Sequence, residues 1–208
     1  MCKMCKWQNS KTLAQRSYQN TKGDKQMNYF ENELNYITDE EVRNKCKEVL
    51  ANVNEQFFEA AASSTGKYHP DYALGEGGLY RHTVAAVMIA ADLRRNECVA
   101  NFDDKQFSYI IAALILHDSC KSGIDWDSKY TKHNHPLLVK ELLDDVLGEC
   151  EFTEEVGRLV ASHMGQWTTC KWDKTVLPRP QLPDEIFVHL CDYLASRKFI
   201  EINFEKGI

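Results

Sequence analysis

Residues 109–116 are almost wholly apolar, and the run ends on the adjacent pair His117 and Asp118. A segment this apolar must be buried, so two ionisable groups are forced to the edge of the interior, where an unpaired charge is expensive. A divalent metal would compensate both. Neighbouring side chains do not face each other on a regular helix, so the doublet suits a frayed helix end where imidazole and carboxylate converge on one ion. Taken alone, it also suits a helix-terminal histidine followed by a capping aspartate. Neither this run nor residues 84–91 approaches the roughly 20 apolar residues that a membrane-spanning helix needs.

Helical spacing recurs on both sides of the doublet. Residues 39–62 place Val42, Cys46, Val49, Leu50, Val53 and Phe57 at steps of three or four, which predicts one helix. A glycine-rich stretch, Gly75 to Gly78, leads into a second over residues 79–95. Asp103 or Asp104 caps a third, which runs through Phe107, Ile110, Ile111 and Leu114 to His117. Residues 119–134 read as a long loop of the kind that carries function. Helix character resumes at His135, with Leu138, Leu142, Leu143 and Val146 on one side and Gly148 closing it. Thr153 opens the next, with Glu154 and Glu155 in its first turn, and a last helix spans residues 184–200. Strand-like alternation is nearly absent and no repeat is present. The expected fold is all-α, with residues 28–208 as a single helical domain and residues 1–27 as a flexible basic arm.

Charge narrows the partners. The chain carries 25 Lys+Arg against 31 Asp+Glu, a net charge of −6. Lys3, Lys6, Lys11, Arg16, Lys22 and Lys25 against Asp24 make the first 25 residues basic, so the remainder is more acidic than the total suggests. An acidic body is a poor match for duplex nucleic acid, which is bound largely through its phosphates, so any phosphate must be met by a local pocket. The expected partner is a small phosphorylated molecule, with neither a membrane nor duplex nucleic acid. The eight cysteines, in a chain showing no export signal, read as reduced thiols of a cytoplasmic protein. Cys2 and Cys5 form a single Cys-x-x-Cys without the second pair that tetrahedral zinc requires.

The histidines draw these strands together. Upstream of the doublet stands Gly77-Gly78-Leu79-Tyr80-Arg81-His82-Thr83; downstream come His135-Pro136, Ser162-His163-Met164-Gly165 and Cys191-Asp192-Tyr193. In order and spacing, residues 68–197 resemble the HD-domain metal-dependent phosphohydrolase superfamily. The Gly-Gly-Leu-Tyr-Arg-His-Thr and Ser-His-Met-Gly stretches look most like the HD module of bacterial 3′-to-5′ exoribonucleases and of small HD nucleotide hydrolases. The resemblance implies an HD-domain helical bundle with its metal site between helices. It implies that His82, His117, Asp118 and Asp192 ligate a first metal, Asp118 bridging to a second held by His135 and His163. His133, in the same loop, is an alternative to His135. Two departures stand out: Met164 where relatives often have a second His, and Gly78 where some cyclic-dinucleotide phosphodiesterases place a metal-binding Glu. At most two metals are therefore expected.

This donor set suits Mn, Fe, Co, Ni or Zn, with Mg acceptable at the oxygen-rich end. Metal-bound water ionises near neutral pH, and two ions can clamp the attacking and leaving oxygens of an in-line displacement. Asp118 and Lys121 are the expected catalytic residues; Lys121 matches the basic residue that often follows the doublet and would neutralise a phosphate oxygen. Arg81 and Arg197 are the other candidates to bind phosphate. Trp167, Trp172 and Tyr130 could offer a stacking face or simply anchor loops. His189, three residues before Asp192, could support it or merely pack, and His69 is expected near the site entrance. The expected activity is hydrolysis of a phosphate ester or anhydride of a nucleotide or a short single-stranded RNA or DNA end. The alternatives are a non-catalytic metal- or nucleotide-binding module and an HD-type di-iron oxygenase, which an iron-specific, oxygen-dependent activity would identify.

Overall fold

The structure, a computed structural model, describes residues 29–63, 66, 67 and 69–200. The arm expected over residues 1–27, with Cys2 and Cys5, lies outside the described residues. Among those described there are eight α-helices and no strand: α1 (Glu31–Leu34), α2 (Glu40–Leu50), α3 (Gln56–Glu59), α4 (Gly78–Leu93), α5 (Asp104–Leu116), α6 (His135–Leu147), α7 (Glu151–Ala161) and α8 (Pro183–Ala195). A 3₁₀ turn, Asp71–Ala73, precedes α4. The fold is all-α, as the periodicity predicts. No described helix is long and apolar enough to cross a membrane.

The apolar run forms the axis of the molecule. Every residue of α5 from Phe107 to Leu116 is buried, and α2, α4, α7 and α8 all pack against it. A helix apolar all round is stable only when enclosed in this way. Its start is fixed by Asp103, whose carboxylate accepts the Gln106 amide at 2.7 Å. Pairing of α4 with α8 and of α6 with α7 completes the bundle, and residues from four long helices or their ends meet at the C-terminal end of α5.

Three expected boundaries move. The helix expected over residues 39–62 stops at Leu50 and resumes only as α3, because side chains compete with the ladder: Asn52 donates to the Glu48 carbonyl and Asn54 accepts the Gln56 amide. Thr153 does not open α7 but is its third residue, its hydroxyl accepting the amide of Cys150 at 3.0 Å. The last helix ends at Ala195, where the Ser196 hydroxyl bonds back to the Tyr193 carbonyl.

An ion network ties α7 to the start of α8. Arg158 donates to Asp184 and Glu155 at 2.7 Å and to Glu185 at 3.0 Å, and the first and last of these three carboxylates are buried. Burial pushes the Asp184 and Glu185 carboxyls up, but Arg158, and for Glu185 the amides of Gln181 and Leu182, outweigh it and hold both below the ordinary range. Depressed carboxyls stabilise the fold above the unfolded-state pKa of about 4, and the contribution is lost as pH falls below it. Arg158→Ala strands two buried carboxylates and is expected to cost about 3 kcal/mol near neutrality. Urea unfolding at pH 7 and pH 3.5 checks this. The gap between variant and wild type should narrow at the lower pH, where the protonated carboxyls no longer need the cation.

Candidate metal centre

Five chain segments deliver the residues that the sequence singled out. His82 lies in the second turn of α4, His117 caps the C-terminal end of α5 with Asp118 next to it, and His135 is the first residue of α6. His163 lies just beyond α7, and Asp192 is in the last turn of α8. The doublet leaves the helix as expected, since α5 ends at Leu116.

These side chains meet. Asp118 Oδ1 is 3.1 Å from His135 Nε2 and 4.0 Å from His163 Nε2, while Oδ2 is 3.6 Å from His117 Nε2 and 2.6 Å from Lys121 Nζ. Asp192 Oδ1 lies 2.9 Å from His82 Nε2 and 3.5 Å from His117 Nε2. Two buried triads result, His82/His117/Asp118 and Asp118/His135/His163, each with donor atoms within 4.8 Å of one another and each able to hold a metal ion. Asp118 is common to both.

The electrostatics fit cations. Burial pushes the Asp118 carboxyl up, yet Lys121, His117 and His135 overcome it and hold it well below the usual carboxylate range. Asp192 is likewise pushed up by burial and held well below that range by His117 and His82. His117 is pulled down by burial but raised overall by Asp118 and Asp192, whereas burial and the neighbouring His117 and His135 drive His163 down to about 3. His117 carries the sharpest sign of a metal. Its Nδ1–H donates to the Leu114 carbonyl at 2.6 Å, which leaves Nε2 to face the site. That Nε2 is buried, faces two carboxylates and has no hydrogen-bond partner among the described residues. Two carboxylates converging on one ring nitrogen draw a cation to it, a proton on Nε2, as the raised pKa of His117 records, or a metal ion in the proton's place.

A cavity of about 340 Å³ opens onto this cluster, lined by His69, His82, Asp118, Lys121, His135 and His163 together with Trp167, Tyr193 and Arg197. Arg81 does not line it. Its guanidinium is spent on the carbonyls of Tyr72, Leu74 and Glu76 at 2.6–3.0 Å, clamping the turn before α4, so the expectation that it meets phosphate is corrected. Arg197 does reach the cavity, its guanidinium 4.2 Å over the Tyr193 ring. His133 faces the Thr168 carbonyl at 3.2 Å, so the loop contributes His135 to the cluster. His189 supports His163 and not Asp192: its Nδ1 donates to the His163 carbonyl at 2.7 Å, and its ring fills the space against Gly165, whose φ of +62° and lack of a side chain permit that approach.

Sequence reasoning placed His69 only near the entrance. In the structure it lines the cavity, its Nδ1 buried beside His82, and burial and the adjacent His82 lower its pKa to about 4. The neighbouring proline and polar turn gave no hint of that depth. No curated protein and no solved structure matches the chain. The family model for the HD domain matches residues 79–197, a span that begins three residues before His82 and ends at Arg197. With well over half of its 208 residues inside that match, and the paired His and Asp groups folded onto one another, the chain belongs to the HD domain family.

Proposed function

We propose that the protein is a divalent-metal-dependent phosphohydrolase acting on a phosphate ester or anhydride of a nucleotide or of a short single-stranded RNA or DNA end. The observation that carries this reading is the buried, unpartnered Nε2 of His117 between the carboxylates of Asp118 and Asp192. In this reading His82, His117, Asp118 and Asp192 hold one ion, and Asp118, His135 and His163 hold another. An ion bound there supplies a water ionised near neutral pH and a Lewis acid for a phosphate oxygen. Asp118, kept ionised, fixes the spacing of the two halves. Lys121, with its ammonium 2.6 Å from Asp118, is placed to neutralise charge building on a phosphate oxygen. Arg197 is the second cation of the cavity and binds phosphate further out.

A nucleotide is favoured by the cavity's other lining. Trp167 is nearly half exposed there, its ring parallel to Tyr193 at 6.1 Å, which presents a flat aromatic face on which a base can stack. A volume of about 340 Å³ lies at the small end of ligand sites, which suits a single nucleotide or a strand terminus and not a duplex. Nucleoside mono- and triphosphates and short single strands, each incubated with Mg, Mn, Fe, Co, Ni or Zn, should show metal-dependent release of phosphate, pyrophosphate or nucleotide. Absence of hydrolysis with every pairing would overturn the proposal. In the same preparations His163→Ala should lower bound metal by about one equivalent while the fold persists. An unchanged metal count would remove His163 from the centre.

A further inference from the structure

Four imidazoles reach the centre, and three have their second nitrogen engaged in the same way. The Nδ1–H groups of His117, His135 and His163 donate to the carbonyl three residues earlier, those of Leu114, Lys132 and Val160, at 2.6, 2.7 and 2.7 Å. Each bond takes up Nδ1 and turns Nε2 toward the site. His82 departs from this pattern. Its Nε2 is 2.9 Å from Asp192 Oδ1, but its Nδ1 is buried without a hydrogen-bond partner among the described residues. His82 sits inside α4, where the ladder already uses the backbone carbonyls. The ring of His69 lies 5.6 Å away at 66°, and its Nδ1 is also buried without a partner. Leaving two such nitrogens unpaired side by side is costly.

We infer that His69 is the positioning residue of His82, the two rings pairing through their Nδ1 atoms. The inference rests on the metal-centre reading and adds a residue to it. Without metal, the Nε2–H of His82 donates to Asp192, so its Nδ1 must accept. With an ion on Nε2, the proton moves to Nδ1, which must donate. A carbonyl partner serves only the second state, whereas a neutral imidazole serves both by exchanging its own tautomer. As the rings stand they make no hydrogen bond, so the pairing requires a turn of the half-buried His69, which lies in the bend before the 3₁₀ turn. In the metal-holding state His69 keeps its proton on Nε2, a donor for an oxygen of whatever fills the cavity it lines.

Titration of metal-free wild type, His69→Leu and His69→Asn with Mn²⁺ or Co²⁺ tests the pairing. Leucine should weaken one of the two sites by about 10- to 100-fold and leave the other unchanged. Asparagine, whose amide donates or accepts after a flip, should stay within about threefold of wild type. Ring ¹⁵N shifts of His82 in the metal-free protein should move in the leucine variant and return in the asparagine one. Should His69→Leu not fold, His69→Ala gives the same comparison. Equal weakening by Leu and Asn, weakening of both sites together, or no weakening at all overturns the pairing while the metal centre stands. A wild-type chain that takes up no metal overturns the centre itself, and the ¹⁵N shifts then decide the pairing alone.

Discussion

Asp118→Ala is expected to empty both halves of the centre and to lower metal-dependent phosphoester hydrolysis by at least about 10³, the equivalent of about 4 kcal/mol of transition-state stabilisation. The effect is large because Asp118 is shared. Its Oδ1 faces His135 and His163, and its Oδ2 faces His117 and Lys121, so removing one carboxylate disarms two triads together. It also leaves the Lys121 ammonium beside the imidazoles with no counterion on the site's inner side, and that opposes the entry of a cation. Asp118→Asn separates charge from shape, since the amide fills the same space. It should keep the fold, measured by thermal unfolding of the metal-free protein, and still lose metal, measured by elemental analysis after dialysis. Full activity in either variant would end the assignment.

Gly78→Ala is expected to be strongly destabilising. A β-carbon there would run into the backbone carbonyl of Ala73, and neither strand of main chain can retreat easily. Gly78 donates to the Gly75 carbonyl at 3.0 Å, Leu79 to that of Ala60 at 2.8 Å and Gly77 to that of Glu59 at 2.8 Å. Overpacking of this kind costs about 2–3 kcal/mol. Because His82 is one turn further along α4, the shift is passed to the metal site, so metal affinity should fall along with the melting temperature. Gly75→Ala is the control. It meets no atom within 4 Å and carries only the strain of a left-handed φ of +67°, about 1 kcal/mol. If both substitutions cost the same, the contact with Ala73 is not what constrains residue 78. The same contact explains why this chain has no glutamate at that position: even the first carbon of such a side chain has no room.

How far the sequence speaks for itself depends on the range of the forces involved. The helix over α5 and its end at the doublet are legible because burial of an apolar run and the Asp103 cap act within a few residues. The grouping of His82, His135, His163 and Asp192 with that doublet is legible only through the resemblance to the HD-domain superfamily, since no local force links positions so far apart in the chain. What local reading misses is competition and depth. The break after Leu50 turns on Asn52 and Asn54 offering the backbone other partners, and an apolar stripe that continues to Phe57 hides it. Arg81 stands next to His82 in the chain, yet the helix turns its guanidinium the other way, into the carbonyls of residues 72, 74 and 76. His189 shares a helix with Asp192 but reaches across to the His163 carbonyl, a bond between positions 26 residues apart that no spacing rule contains.

Three of the imidazoles are wired through Nδ1 to main-chain carbonyls. Their aim is therefore set when the chain folds, before any ion arrives, and little ordering remains to be done at loading. Such a centre should tolerate exchange: one ion can replace another without the surrounding scaffold being recast. Its choice among them would then follow cellular supply and each element's own reactivity more than any adjustment of the protein's shape.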